Sequence, residues 1–191
     1  MLIKVIIGAL AVLLILVAVA CAGPTSAPVT AAPAPKSPAT QAPSSAQTPT
    51  APALAAKPSG KIKGTWIEPK VNGDTISILQ SDVEKNWNIH FKATIQGSTE
   101  NFMAYLLDGQ IYVRANVCPP CQSIGYSLDK DVLVCDRCGT RFKAKSGDGI
   151  DGACVNYPKA SVSYQTAGGN LVMKNSDLFT AYQNTLKQGL P

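Results

Sequence analysis

Two cysteine pairs stand out as the residues best able to do chemistry: Cys118-Pro119-Pro120-Cys121 and Cys135-Asp136-Arg137-Cys138, separated by thirteen residues. Two residues between cysteines let both sulfurs of a tight turn face one centre, while the intervening amides point at the sulfurs. A hairpin between two such turns would bring the pairs together as four thiolates. Four thiolates suit tetrahedral zinc or an iron-sulfur cluster, and either leaves a formal charge of about −2 with zinc or an oxidised two-iron cluster bound. Spacing does not choose between them. A c-type haem is excluded, because Gln122 and Gly139 stand where attachment requires histidine. Two structural disulfides remain open for an exported chain. A thiol-disulfide role for Cys-Pro-Pro-Cys also stays open, although the reactive cysteine of thioredoxin-like proteins begins a helix and Ser123-Ile124-Gly125 leads into a β segment.

A further cysteine, Cys154, follows Gly152-Ala153. It is an alternate fifth ligand, a free thiol beside the site, or a small buried hydrophobe. Lys130, Arg137, Arg141, Lys143 and Lys145 surround the ligand loops in sequence and would offset part of the site's negative charge. Phe142 is expected to pack in the core. The chain has one histidine, His90, on the polar side of an alternating strand far upstream, where an exposed or half-buried structural role is expected.

The elements that must position these cysteines read as short strands. Asn88 to Gln96 alternates, with Ile89, Phe91, Ala93 and Ile95 on one face. Met103 to Leu107 and Ile111 to Ala115 flank Asp108-Gly109, a dipeptide suited to a type I′ hairpin turn. Asp74 to Leu79 is another strand. Gly125 to Leu128 returns through Asp129-Lys130-Asp131 to Val132-Leu133-Val134, and Ser161 to Gln165 returns through Gly168-Gly169 to Leu171-Val172-Met173. Ser176 and Asp177 are placed to cap a final helix over Leu178 to Lys187, with Leu178, Phe179, Tyr182 and Leu186 on one side and Gly189 as its stop.

Upstream of position 61 the chain changes character. Lys4, the apolar run Val5 to Ala20 and Ala18-Val19-Ala20-Cys21 have the order of a secretory signal. The cysteine after small residues resembles the lipobox of bacterial lipoproteins, in which Cys21 would be lipidated; an uncleaved anchor helix is the rival. Either places residues 1–21 at a membrane and the remainder on its extracytoplasmic face. Residues 22–60 hold nine of the fourteen prolines and twelve alanines, with no acid and no aromatic residue. Such a segment is a disordered tether, spanning about 35 Å as a coil and about 120 Å as polyproline II. Residues 61–191 form one domain of ordinary size. It carries fourteen basic and twelve acidic residues, a net charge of +2, so a polyanionic partner such as nucleic acid is not expected.

The order of cysteine pair, hairpin, Cys-x-x-Cys-Gly-Thr-Arg-Phe, glycine-rich stretch, Pro158 and final hairpin resembles the cluster-binding half of Rieske domains. The resemblance implies two ligand loops at the tip of a small antiparallel sheet. A Rieske centre takes two histidines, so a cluster here would be held by thiolates alone. The segments Ala115 to Cys121, Gly125-Tyr126, Val134 to Phe142 and Gly152 to Pro158, with the strand order from Gly73 to Val113, are further similar to the FtrD-like membrane iron-sulfur proteins. That resemblance implies cluster ligation by Cys118, Cys121, Cys135 and Cys138, and a redox role at the membrane connected to uptake of iron or another metal. Many relatives carry several membrane helices where this chain has one apolar segment, and the family's Gly-Gly-Cys is here Gly-Ala-Cys.

The expected fold is mostly β: a small antiparallel sheet or sandwich with a Rieske-like two-knuckle metal-binding subdomain and one C-terminal helix. The expected function is electron transfer to or from a membrane redox or metal-transport partner. The chain presents no Ser-His-Asp set and no phosphate loop, so it reads as a carrier and not as a stand-alone enzyme. The contrasting possibility is a binding module with structural zinc, which in small peptides contributes about 10 to 16 kcal/mol to folding.

Overall fold

The computed structural model describes residues 56–189. The segment 1–21, with Cys21, and most of the 22–60 tether lie outside the described residues. Three four-stranded sheets and two helices build the domain. In the first sheet, β4 (Asn88–Ile95), β5 (Ser98–Leu107) and β6 (Gln110–Ala115) run antiparallel, and β1 (Thr65–Ile67) joins the edge of β4 in parallel. The second sheet has the order β11 (Gln165–Ala167), β12 (Asn170–Lys174), β3 (Thr75–Leu79), β2 (Lys70–Asn72). The third is smaller, in the order β10 (Gly149–Asp151), β9 (Arg141–Lys143), β8 (Val132–Cys135), β7 (Tyr126–Asp129). Helix α1 (Gln80–Asn86) follows β3, and α2 (Asn175–Thr185) follows β12.

The expected alternation in β4 is present: Ile89, Phe91, Ala93 and Ile95 are buried. They pack with Phe102, Val113, Ile76, Leu171 and Leu178 in the main apolar core. Phe91 and Phe102 stack at 5.7 Å between ring centroids. Each such side chain, fully buried, stabilises the fold by about 1.5–3 kcal/mol. The β5–β6 hairpin turns at Asp108 (φ 51°) and Gly109 (φ 76°), the two positive values that a type I′ turn demands.

Four expectations are corrected by the structure. A second helix, α1, exists, held by its buried Val83 and closed by Trp87 in a left-handed conformation. The C-terminal helix begins earlier than expected and is not capped by Ser176 or Asp177; Lys174 occupies the cap position without a side-chain bond. Its entry is fixed instead by the Asn175 amide, which donates to Asp74 O at 2.8 Å. The helix ends at Thr185, ahead of Gly189, and Leu186 is exposed. The strand expected from Ser161 starts only at Gln165, with Ser161 making an isolated bridge to Arg114.

His90 is the fourth correction. It is buried, although it shares the outward face of β4 with Lys92 and Thr94. The third sheet covers that end of the strand. Asn88 Nδ2 donates to Tyr126 O at 2.9 Å, and His90 Nε2 lies 3.1 Å from the same carbonyl. Gly64 allows this arrangement, since a Cβ there would fall 2.2 Å from the imidazole. Two backbone bonds between Ile62 and Leu128, of 2.7 and 2.8 Å, complete the seam.

Candidate metal centre

Both cysteine turns form with the same local geometry. The Gln122 amide donates to Cys118 O at 2.7 Å, and the Gly139 amide donates to Cys135 O at 3.0 Å, each four residues beyond the first cysteine. The first cysteine's amide then donates across the turn, from Cys118 to Ser123 O at 2.8 Å and from Cys135 to Thr140 O at 2.9 Å. Each turn needs a left-handed residue just past its second cysteine, supplied by Gln122 (φ 55°) and Gly139 (φ 74°). The β7–β8 hairpin connects them, turning at Lys130 and Asp131.

The thiols of all five domain cysteines converge, and none is in a disulfide. Cys118, Cys121, Cys138 and Cys154 have their sulfurs within 4.8 Å of one another. Cys135 Sγ lies 3.7 Å from Cys121 Sγ, and Cys138 Sγ lies 3.7 Å from Cys154 Sγ. The four knuckle cysteines thus meet, and Cys154 meets them as a fifth. Thr140, fully buried, ties Cys154 in: its hydroxyl lies 3.1 Å from Cys138 Sγ and accepts from the Cys154 amide at 3.1 Å. Gly152 (φ 109°) makes the approach possible, because a Cβ there would stand 2.6 Å from Thr140 Cα.

Proton positions follow from this crowding. Cys118 and Cys135 face one another across a hydrogen bond. The hydrogen bond between them, reinforced by burial, pushes the Cys118 thiol up. The same bond holds Cys135 down at about 3, helped by Ser123 and the amides of Cys138 and Arg137. Those amides facing a sulfur are the feature expected of a knuckle. Burial pushes Cys121 up to about 11. Burial also opposes ionisation of Cys154, but bonds to Cys118, Cys138, Cys121 and Thr140 outweigh it and keep that thiol low.

The surrounding shell is apolar with buried cations. Tyr126 and Phe142 meet edge to face at 5.9 Å beneath the loops, so Phe142 is a core residue. Arg114, buried, donates to Tyr105 Oη at 2.7 Å, Lys159 O at 2.7 Å, Ser161 Oγ at 2.9 Å and Lys145 O at 2.6 Å. Lys159 is buried as well. Of the basic residues named from sequence, Arg141 is instead engaged with Asp151 on the surface, linking β9 to β10. The sequence reasoning missed Arg114 and Lys159, because nothing local marks either as buried.

The donor set fits a thiolate-held centre: sulfurs alone, paired at 3.7 Å, near the edge of about 3.8 Å that bonds of about 2.3 Å give a tetrahedral site. Soft thiolates select iron-sulfur clusters, zinc or Cu(I). The fold and site define a cysteine-ligated metalloprotein. Residues 83–184, more than half the chain and inclusive of all five thiols, match the family described as membrane iron-sulfur containing protein FtrD-like, and the chain belongs to that family. Its cofactor is accordingly an iron-sulfur cluster, a choice that cysteine spacing left open. Among solved structures, the chain is similar to one in the complex of reduced oxygenase and oxidized ferredoxin in carbazole 1,9a-dioxygenase. There the identity is 18% and the TM-score 0.45, over 55% of this chain and 95% of that one. It is also similar to the Sphingomonas yanoikuyae B1 ferredoxin, at 17% identity and TM-score 0.37, over 44% and 83% of the two chains. No curated protein matches.

Proposed function

We propose that the chain is an electron-transfer protein held at the extracytoplasmic face of a membrane by a lipid on Cys21 or by its N-terminal apolar segment. Its partner on this reading is a membrane redox or metal-transport protein, and the process it serves is uptake of iron or another metal. The tether of residues 22–60 supplies the reach between membrane and partner. Among the described residues no helix is long and apolar enough to cross a membrane.

The observation that carries the electron-transfer reading is the graded depth of the thiols. Cys118, Cys135 and Cys154 are buried, while Cys121 and Cys138 are half-buried at the rim. A cluster held there supplies one-electron chemistry. The buried sulfurs keep water away, and the rim sulfurs offer a short route to a docked partner. No cysteine lines the groove of about 950 Å³ bounded by Leu79, Leu106, Ile111 and Leu171. The test is electron paramagnetic resonance on membranes from cells producing the full chain, before and after dithionite. A reversible one-electron signal in the membrane fraction is expected. Its absence from protein that carries metal would contradict the reading, as would a signal confined to the soluble fraction.

A further inference from the structure

Lys159 is 1% exposed, and Arg114, also 1% exposed, binds its backbone carbonyl. Removing an ammonium group from water is costly unless an anion compensates. Yet the ion pairs among the described residues are Lys61 with Asp136 and Arg141 with Asp151, both at the surface. No carboxylate answers either buried cation. Lys159 Nζ donates to Val117 O at 2.7 Å, one residue before Cys118. It also lies 4.8 Å from the centroid of Phe142 and 5.4 Å from that of Tyr126, the two rings under the ligand loops. Neutral contacts of this kind hold the ammonium in place without cancelling its charge.

The groups that oppose its loss of charge are the cysteines of the centre. Burial is the larger effect and leaves the Lys159 amine lowered to about 8, while Cys118, Cys135, Cys154 and Cys121 act in the opposite direction. The backbone is clamped so that the side chain cannot retreat. The Lys159 amide donates to Gly147 O at 2.8 Å, and a Cβ at Gly147 would fall 2.1 Å from Lys159 O.

We propose that Lys159 is the buried counter-charge of the cluster, a positioning residue that raises its reduction potential and so selects which partners can reduce it. This rests on the electron-transfer reading above. The sign is fixed by charge alone: one added electron makes an anionic centre more negative, no bond forms or breaks, and a nearby cation favours the reduced state. A structural strut between Val117 and residue 159 would hold the loop equally well without moving the potential.

The experiment is an anaerobic potentiometric titration of the iron-loaded full chain, with dithionite as reductant, for wild type, Lys159→Gln and Lys159→Arg. At the wild-type midpoint, Lys159→Gln is expected to show a reduced-to-oxidised ratio lower by at least tenfold, about 59 mV for a one-electron couple. Lys159→Arg should stay within about threefold, since it retains the charge. An unchanged midpoint in Lys159→Gln overturns the proposal and leaves electron transfer standing. A wild-type cluster that cannot be reduced overturns the electron-transfer reading itself. Should Lys159→Gln not retain iron, Lys159→Met, which keeps the unbranched stem, is titrated in its place. Iron loss from both neutral variants with normal loading of Lys159→Arg supports a requirement for charge, and loss from all three overturns it.

Discussion

The two cores of this domain are built on different physics. The core under the first two sheets is a run of buried Ile, Phe, Val and Leu drawn from β3, β4, β5, β6, β12 and both helices. The core under the third sheet is smaller, joins that sheet's strands of three and four residues to Met103, Tyr105 and Leu107 of β5, and includes three of the five thiols. The first can fold on apolar burial alone. The second places sulfur, a buried lysine and a buried arginine where the first places hydrocarbon. Short strands with so little apolar area are marginal without a further link. The lesson is that the small sheet is a mount whose stability and purpose meet at one centre, and the larger body is the base that holds it.

Breaking the mount should give the largest effect. Cys118 is in bonding reach of Cys135, Cys154 and Cys121, so Cys118→Ser should lower iron per chain by at least about tenfold. Far-ultraviolet circular dichroism should still report the larger sheets. Retained iron, or loss of all structure, would erase the distinction between the two cores. Breaking the base should do the opposite. Phe91→Ala removes a fully buried ring and should lower the unfolding free energy by about 3–5 kcal/mol in a denaturant titration, with the visible spectrum of the folded fraction unchanged.

The smallest effect sharpens the seam. Burial lowers the pKa of His90 below its ordinary 6.5, with the Tyr126 carbonyl and Asp136 partly opposing. Between that lowered value and about 6.5 the unfolded chain binds a proton that the folded chain does not. Stability should therefore be level above about pH 7 and fall as pH drops through that window. The slope should disappear in His90→Gln. A wild-type denaturation midpoint equal at pH 7.5 and 5.5 would contradict the neutral, buried assignment.

What was legible in the sequence is what depends on local pattern. Period-two alternation marked β4, Asp108-Gly109 marked a hairpin, and Cys-x-x-Cys marked both knuckles. What was not legible depends on contacts far along the chain. The seven residues of α1 are too few to show a helical period, and they hold through burial of Val83. His90 looks exposed until a carbonyl 36 residues away covers it. Cys154 joins the knuckles through Thr140, fourteen residues upstream, on a path that only a glycine at 152 permits. Lys159 reaches Val117 across 42 residues, and no feature of its neighbourhood in sequence announces a buried cation.

The most direct test is the content of iron, zinc and acid-labile sulfide in anaerobically purified full chain. Iron and sulfide in matched amounts, lost together in Cys118→Ser, are the predicted result. Zinc without sulfide would contradict it and leave the small sheet as a structural metal site.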